Sequence, residues 1–345
     1  RDQIVESELS YLSNYQRVII NSGKISNKGW EISVSGVPVK VKNFEWKTIF
    51  NWSKNNSMVE SLPEGIDKIQ IGSGVYNVKS YAEVGKPYGA IYAKTFKRDA
   101  EGYILCQLDG SPKEGQDYEY LGCVQADWRG GWNNVFRLGN FSFSVMFDFQ
   151  KGGKFFSQTS IQSSVDGQSV KSLEGRDADF FSRKILGESD EERYGFMRPQ
   201  NANTPTANGQ VYPDWGRPKG VVLPNCRYDE DVEGLAGQQV LGYCTPERYW
   251  MHYTSRDISR FIYDASYVKL REITVSYDLP KKWLRKTPFQ TFRVAAVGRN
   301  IATLFANTPH GLDPQATSTT GNAQGFERGF NLPSATYGFD IKVSF

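Results

Sequence analysis

The sequence predicts an all-β protein, a transmembrane antiparallel β-barrel, on three observations. Apolar residues alternate with polar ones over short segments, the period-2 pattern of strands with two unlike faces. The apolar faces are rich in aromatics, which make up 14% of the 345 residues. Short turns and long polar stretches follow one another in regular alternation between these segments, as barrels with short periplasmic turns and long external loops require.

The elements follow in order. Residues 1–15 read as the tail of an earlier strand entering an external loop. Trp30, Ile32 and Val34 then alternate with Glu31, Ser33 and Ser35, and 38–43 is a short connection. In the next strand Phe44, Trp46, Phe50 and Trp52 share a face with Thr48, opposed by Glu45, Lys47, Asn51 and Ser53. A long polar stretch covers about 57–127. Its strand-like segment 88–96 would break the up-and-down parity as a single extra span, so it is expected in an external hairpin. Residues 132–138 carry Phe136 against Arg137, and 138–140 is a short turn. Phe141, Phe143, Val145, Phe147 and Phe149 then oppose Ser142, Ser144, Asp148 and Gln150, with Met146 the exception.

After a second long stretch near 156–260, Ile273, Val275, Tyr277 and Leu279 alternate with Glu272, Thr274, Ser276 and Asp278. The connection 279–288 is short. Phe292, Val294, Ala296 and Gly298 form the next strand, with Arg293 and Arg299 opposite. A third long stretch, 306–331, leads to Tyr337, Phe339, Ile341, Val343 and Phe345 on one face, with Gly338, Asp340, Lys342 and Ser344 on the other.

Seven strands result. Their apolar faces are expected against lipid: Phe44, Trp46, Phe50, Trp52, Phe141, Phe143, Val145, Phe147, Phe149, Ile273, Val275 and Tyr277. Tyr337 to Phe345 reads as a closing strand with a barrel-assembly signal. Seven strands leave two open edges, whose unpaired N–H and C=O groups are costly in hydrocarbon. The whole of 1–345 is therefore expected to be the C-terminal part of one barrel domain, with earlier strands supplied by residues outside this sequence. Arg1-Asp2-Gln3 holds neither an initiating Met nor a signal peptide, as expected of a processed chain or a piece of a longer one.

Other classes are excluded by composition. No window approaches the roughly 20 apolar residues of a membrane helix. The balance of 41 basic against 38 acidic residues, a net charge of +3, carries no nucleic-acid footprint. No metalloprotease, nucleophile-elbow or phosphate-loop motif is present, so no catalytic residues are assigned and the protein is not expected to be an enzyme.

The remaining residues with chemistry are few. Cys106, Cys123, Cys226 and Cys244 show no CxxC spacing, and with only His252 and His310 a zinc site is not expected. The cysteines fall into two local pairs, Cys106 with Cys123 and Cys226 with Cys244, which in an oxidising compartment would staple external loops. Each closure is worth about 3 kcal/mol in the chain-entropy picture. Buried thiols that form no bridge are the alternative. His252, within Tyr249-Trp250-Met251-His252-Tyr253, reads as a loop residue packed among aromatics. Asp229, Glu230, Asp231 and Glu233 could hold Ca²⁺ through oxygen but lack the spacing of a calcium loop, and a solvated loop is the better reading. No other cofactor is expected. Tyr, Trp, Asn and Asp in the long stretches suit sugar stacking, peptide recognition or a protein interface. Which of them would touch ligand is not specified by the pattern.

Local wording adds a family resemblance. The run 21–31, Asn-Ser-Gly-Lys-Ile-Ser-Asn-Lys-Gly-Trp-Glu, resembles a stretch of SusC/RagA-type TonB-linked outer-membrane proteins. So do Asn43-Phe44-Glu45-Trp46 with Asn51-Trp52-Ser53-Lys54-Asn55, and Gly85-Lys86-Pro87-Tyr88-Gly89. The most specific similarity is 259–273, Ser-Arg-Phe-Ile-Tyr-Asp-Ala-Ser-Tyr-Val-Lys-Leu-Arg-Glu-Ile. Gly298-Arg299-Asn300-Ile301, Leu304-Phe305, Asp313-Pro314, Gly321-Asn322 and Tyr337-Gly338-Phe339 follow in the family's order. The resemblance implies a barrel of about 22 strands with a plugged lumen. It implies TonB-dependent import of glycans or oligopeptides across the outer membrane of a Bacteroidota-type bacterium. Its implied partners are the N-terminal part of the same transporter, a SusD-like surface lipoprotein, the TonB complex and outer-membrane lipid, in a dimer of SusC/SusD-type pairs. A passive porin or adhesin barrel, and a soluble extracellular carbohydrate-binding β protein, stay open as other readings.

Overall fold

The computed structural model describes residues 4–8, 17–21, 23–173, 221–244, 248–309, 311–316, 324–329 and 334–345. His310, Gly321 and Asn322 lie outside them. The first two elements, β1 (Ile4–Glu8) and β2 (Arg17–Asn21), pair antiparallel as a two-stranded sheet. Residues 9–16, where that strand tail was expected to enter an external loop, lie outside the described residues.

Seven long strands form the main sheet. In chain order they are β3 (Lys24–Val41), β4 (Phe44–Ser61), β10 (Trp128–Leu138), β11 (Phe141–Lys151), β16 (Tyr267–Asp278), β17 (Thr291–Ala306) and β19 (Thr336–Ser344). Each hydrogen-bonds its predecessor in this order, antiparallel throughout. The short links 42–43, 139–140 and 279–290 leave from one end of the sheet, the turn end. The long ones, 62–127, 152–266 and 307–335, leave from the other, the loop end.

The register explains the alternation. One row of paired residues crosses all seven strands as Val39, Trp46, Phe136, Phe143, Val275, Ala296 and Phe339. The next, toward the turn end, is Val41, Phe44, Leu138, Phe141, Tyr277, Val294 and Ile341. Toward the loop end, Phe50 aligns with Trp132 and Phe147, and Trp52 with Gly130 and Phe149. Rings stack along these rows, Trp46 on Phe136 at 5.9 Å and Phe136 on Phe143 at 6.1 Å. Val145 and Ile273 are paired in a further row of the same face. The face is open in this chain: Phe141 is 58% exposed and Phe339 86%.

Two polar side chains interrupt the face, and both are satisfied. The Trp46 indole N–H donates to Asn134 Oδ1 at 3.0 Å. The Trp132 indole N–H donates to Thr48 Oγ1 at 2.9 Å. Where no water is available, such pairing is what makes a polar group tolerable.

The expected short connection at 38–43 is corrected. β3 continues to Val41, and the turn is Lys42 and Asn43 alone. A bulge between Gly36 and Val39 inserts one extra residue opposite Thr48 and Trp46. It accommodates Pro38, which has no N–H to give the ladder, and it puts Val39 and Val41 back on the apolar face.

The described residues of the three long stretches form a folded layer at the loop end. From the first come β5 (Lys68–Ser73), β6 (Lys79–Glu83), β7 (Ala90–Phe96) and β9 (Glu114–Cys123), one four-stranded antiparallel sheet. The strand-like segment 88–96 is thus β7, outside the main sheet. β8 (Ile104–Cys106) joins β13 (Val221–Tyr228) and β14 (Gln239–Cys244) of the second stretch. β12 (Lys154–Ser157) pairs with β15 (Ile262–Asp264) and with β18 (Phe326–Glu327) of the third. The helices are short: α1 (Gln158–Val165), capped by the Ser157 hydroxyl, and α2 (Lys281–Leu284) at the turn end. Val78, Ile91, Phe96, Phe156, Ile161, Trp250, Phe261 and Phe326 share one core, with members from all three stretches. Tyr249, Trp250 and Tyr253 are therefore interior residues, but His252, expected to pack among them, does not enter this core. Exposed His252 sits beside them on the same turn.

Candidate functional site

The polar face of the main sheet meets the folded layer at the loop end, and a cluster of charged residues lies at that junction. β10 supplies Arg129, β11 supplies Asp148 and Gln150, and β16 supplies Tyr267, Lys269 and Arg271. Asp313 and Gln315 come from the third long stretch.

A bulge positions Arg271. Leu270 pairs with Phe147 and Glu272 with Met146, so Arg271 has no partner on β11. The extra residue is turned onto the polar face, a common use of bulges. Its guanidinium donates to Asp148, to Gln315 Oε1 at 2.8 Å and to Asn300 Oδ1 at 2.8 Å. Asn300 stands in a matching irregularity of β17 with φ +50°, a left-handed conformation that Asn tolerates better than most residues. The Arg271 to Asn300 bond thus joins two positions that period-2 counting treats as ordinary strand.

The network continues on both sides. Tyr267 Oη donates to Asp148 Oδ2 at 3.3 Å and accepts from Gln315 Nε2 at 2.5 Å. Lys269 reaches both Asp313 oxygens at 2.5 Å and Gln315 Oε1 at 2.9 Å, with only 7% of its side chain exposed. Arg129 Nε donates to Gln150 Oε1 at 3.0 Å. These residues border a cavity of about 390 Å³ lined by Arg129, Asp148, Gln150, Lys154, Tyr267 and Gln315, among others. An adjoining cleft of about 590 Å³ runs along the polar face past Glu31, Ser33, Asn51 and Ser53, and shares Arg129 and Asp148. The lining offers donors and acceptors in near balance. Such a surface suits a neutral, hydrogen-bonding ligand better than a polyanion. Asp264 borders this region, and burial by itself would raise its carboxyl. Hydrogen bonds from the Ser266 hydroxyl and N–H and from Asn307, with the charge of Lys154, hold it down at about 2.

The acidic run lies elsewhere, in the folded layer. Lys97 binds Asp229 at 2.9 and 3.0 Å and Lys113 binds it at 2.8 Å, and Lys113 also pairs with Asp231. Of the four acidic residues of this run, Asp229 and Asp231 are thus paired with lysine ammonium groups. Among the described residues no group of three or more His, Cys, Asp or Glu side chains is arranged to hold a metal ion.

The cysteines do not sit in the expected local pairs. Cys106 on β8 and Cys226 on the adjacent parallel strand β13 lie in the core of the folded layer as free thiols, with Cys244 in the same core. Cys123 is at the far end of β9, opposite Ala90, where its thiol donates to Tyr88 O at 3.5 Å. Cys106 bridges to Pro112, just before the other end of β9. Nine residues of extended strand, about 30 Å, therefore separate Cys123 from that end. Cys244 is opposite Val221, four residues along β14 from the Val240 that faces Cys226. That is about 13 Å along the strand, beyond the usual reach of a disulfide.

Sequence reasoning placed Asp148 and Gln150 on the polar face but did not single out the cluster. The usable signal was charge: the loop-end halves of β10, β11 and β16 carry Arg129, Asp148, Lys269 and Arg271 on one face.

No family model matches the chain. Among curated proteins, TonB-dependent receptor P3 of Formosa agariphila is 23% identical over 358 aligned positions, covering 97% of this chain and 30% of that protein. TonB-dependent receptor P39 of the same organism is 21% identical over 193 residues, covering 42% of this chain and 18% of that protein. Among solved structures, the RagAB peptide importer in its closed-closed state matches all of this chain and 32% of the matched chain, at a TM-score of 0.58 and 15% identity. A second RagAB peptide transporter structure gives 0.57 at 15% identity. The chain spans about 30% of the length of the first curated relative. These relatives are receptors and importers, not enzymes. Along nearly its whole length the chain is similar in sequence to TonB-dependent receptor P3, in line with its SusC/RagA-like wording, and it shares the β-barrel fold of the RagAB structures.

Proposed function

We propose that the chain belongs to a TonB-dependent importer of oligomeric nutrients, glycans or oligopeptides, in the outer membrane of a Bacteroidota-type bacterium. The observation that carries this reading is the combination of aromatic rows across seven strands with a polar opposite face and long connections gathered at one end. The aromatic face meets lipid and the polar face lines the lumen. The loop end then faces outward, and the polar cluster stands where a ligand enters the barrel. The likeness to the RagAB peptide importer supports a partner lipoprotein of SusD type over that end, and a dimer of such pairs is part of the proposal. The edges of the sheet, β3 and β19, each have one neighbour in it. The remainder of the transporter supplies the others, together with the plug and the TonB-binding segment.

The test uses the full-length protein in its own host. Disruption of the gene should abolish growth on one class of oligomer, and removal of the energy-coupling segment should do the same without loss of surface assembly. Uptake that persists without energy coupling would overturn the importer reading in favour of a passive pore.

A further inference from the structure

We infer that the link between β16 and β17, residues 279–290, is a binding surface for anionic phospholipid headgroups at the turn end of the sheet. The inference rests on the proposed outer-membrane barrel, which sets this end in the periplasmic leaflet. The arrangement of the residues is independent of it.

The sequence concentrates charge in this link. Leu279-Pro280-Lys281-Lys282-Trp283-Leu284-Arg285-Lys286-Thr287-Pro288-Phe289-Gln290 holds four cations and no acid, against a net charge of +3 for all 345 residues. The other two turn-end links, 42–43 and 139–140, have two residues each. Local structure keeps the cations outward. Pro280 opens α2, the Trp283 N–H donates to Pro280 O at 2.9 Å, and the Thr287 N–H donates to Leu284 O at 2.9 Å. Leu284 turns inward at 7% exposure, while Lys281, Lys282, Arg285 and Lys286 are all exposed. The acid beside the link is already taken, since Asp278 accepts from Arg293 at 2.6 and 2.8 Å. None of the four cations forms an ion pair among the described residues.

The rings beside this charge point to lipid. Trp283 is 61% exposed, between the two lysines before it and Arg285 and Lys286 after it. Phe289 lies 6.0 Å from Phe292 and 5.3 Å from Phe345, ring to ring. Phe292 pairs with Val343 and continues the aromatic face beyond Val294, and the Gln290 N–H donates to Ser344 O at 2.8 Å. The link is thus fastened to the turn-end rim of the face proposed to meet lipid. Exposed indoles on such a rim sit at headgroup level. Lysine and arginine stems lie along an apolar rim with their charges at the same level. Clustered cations there attract anionic lipid, and the attraction is screened by salt. Phosphate oxygens accept from both ammonium and guanidinium groups. A soluble acidic partner would account for the cations without using the ring cluster that continues the aromatic face.

The test uses the full-length protein in nanodiscs of neutral phosphatidylcholine. A trace of probe lipid carries a photoreactive group near its headgroup, on phosphatidylglycerol in one set and on phosphatidylcholine in the other, and adducts are mapped by mass. Wild type at low salt should label residues 281–286 severalfold more with the phosphatidylglycerol probe, and the excess should shrink as salt is raised. K281Q/K282Q/R285Q/K286Q should label equally with both probes, with heat-modifiability reporting whether it is folded. The salt series on wild type decides the same point without any substitution. Equal labelling of wild type by the two probes, or an excess that persists in the folded variant or at high salt, would overturn the inference and leave the cations to a protein partner. A third probe, photoreactive at the end of its acyl chain, reads the barrel proposal separately. Labels on Phe141 and Phe143 with no phosphatidylglycerol excess at 281–286 would discard the headgroup surface and keep the membrane face.

Discussion

At the scale of single residues, Asp229 shows how the loop-end layer tolerates a buried charge. Its side chain is 4% exposed. Burial would raise its carboxyl, but hydrogen bonds from Lys113 and Lys97 hold it at about 2. A carboxyl held below its ordinary value of about 3.9 contributes stability above that value, and loses it as pH falls toward 2. The contribution is about 2 kcal/mol at neutral pH. D229N should therefore weaken the layer at pH 7, read as faster limited proteolysis, with the difference from wild type closing as the pH falls from about 4 to about 2. A pH-independent difference would contradict this account. Trp46 is a second case. W46F keeps a ring in the aromatic row but leaves Asn134 Oδ1 without its donor, at a cost of about 1–3 kcal/mol. Replacing Asn134 with Leu in the same variant should restore most of the loss in folded fraction on a semi-native gel. Gly29 explains one word of the family-like run 21–31: a Cβ there would stand 2.3 Å from Lys54 O, so Gly29→Ala must push β3 and β4 apart.

At the scale of elements, the seven strands were legible because two unlike faces impose a period of two. The apolar candidates from Phe44 to Tyr277 fall into rows because antiparallel pairing brings like faces together. The strand ends were not legible. Residues 24–29 and 53–61 carry mostly polar side chains on both faces, and the periodicity fades there although the ladder continues. The bulges at Pro38, Arg271 and Asn300 were hidden for the opposite reason, since an extra residue shifts the parity that the counting relies on. The polar cluster was hidden with them. The loop-end strands are short, and β7 and β8 are almost wholly buried, so no alternation marks them. Opposite effects on the two faces of β11 follow. Phe143→Arg should cost about 2–4 kcal/mol if its row lies near mid-bilayer, and Ser144→Arg much less. The fraction of heat-modifiable folded protein in outer membranes would measure both, and equal losses would contradict the assignment of faces.

At the scale of the whole molecule, the fold divides the work between two structures built from one chain. The main sheet has one aromatic face and one polar face. The described parts of the three long stretches, which as sequence are polar and irregular, close on a core of their own at the loop end. The polar cluster belongs to both, since Asp148 and Arg271 come from the sheet and Gln315 from the layer. Substrate selection is therefore expected to respond to changes in either. Asp148→Asn should weaken the hold on Arg271 and Tyr267 and lower uptake severalfold while leaving assembly intact, as surface labelling would check.

The central claim is that the aromatic rows meet lipid, and photolabelling tests it most directly. A carbene precursor confined to the hydrocarbon of native outer membranes would be activated and its adducts mapped on the full-length protein. The account predicts labels on Phe141, Phe143, Phe147 and Phe149 of β11 and on their row partners Phe50, Trp132 and Tyr277, with Ser142, Ser144 and Asp148 unlabelled. Equal labelling of the two faces of β11, or none on either, would contradict it.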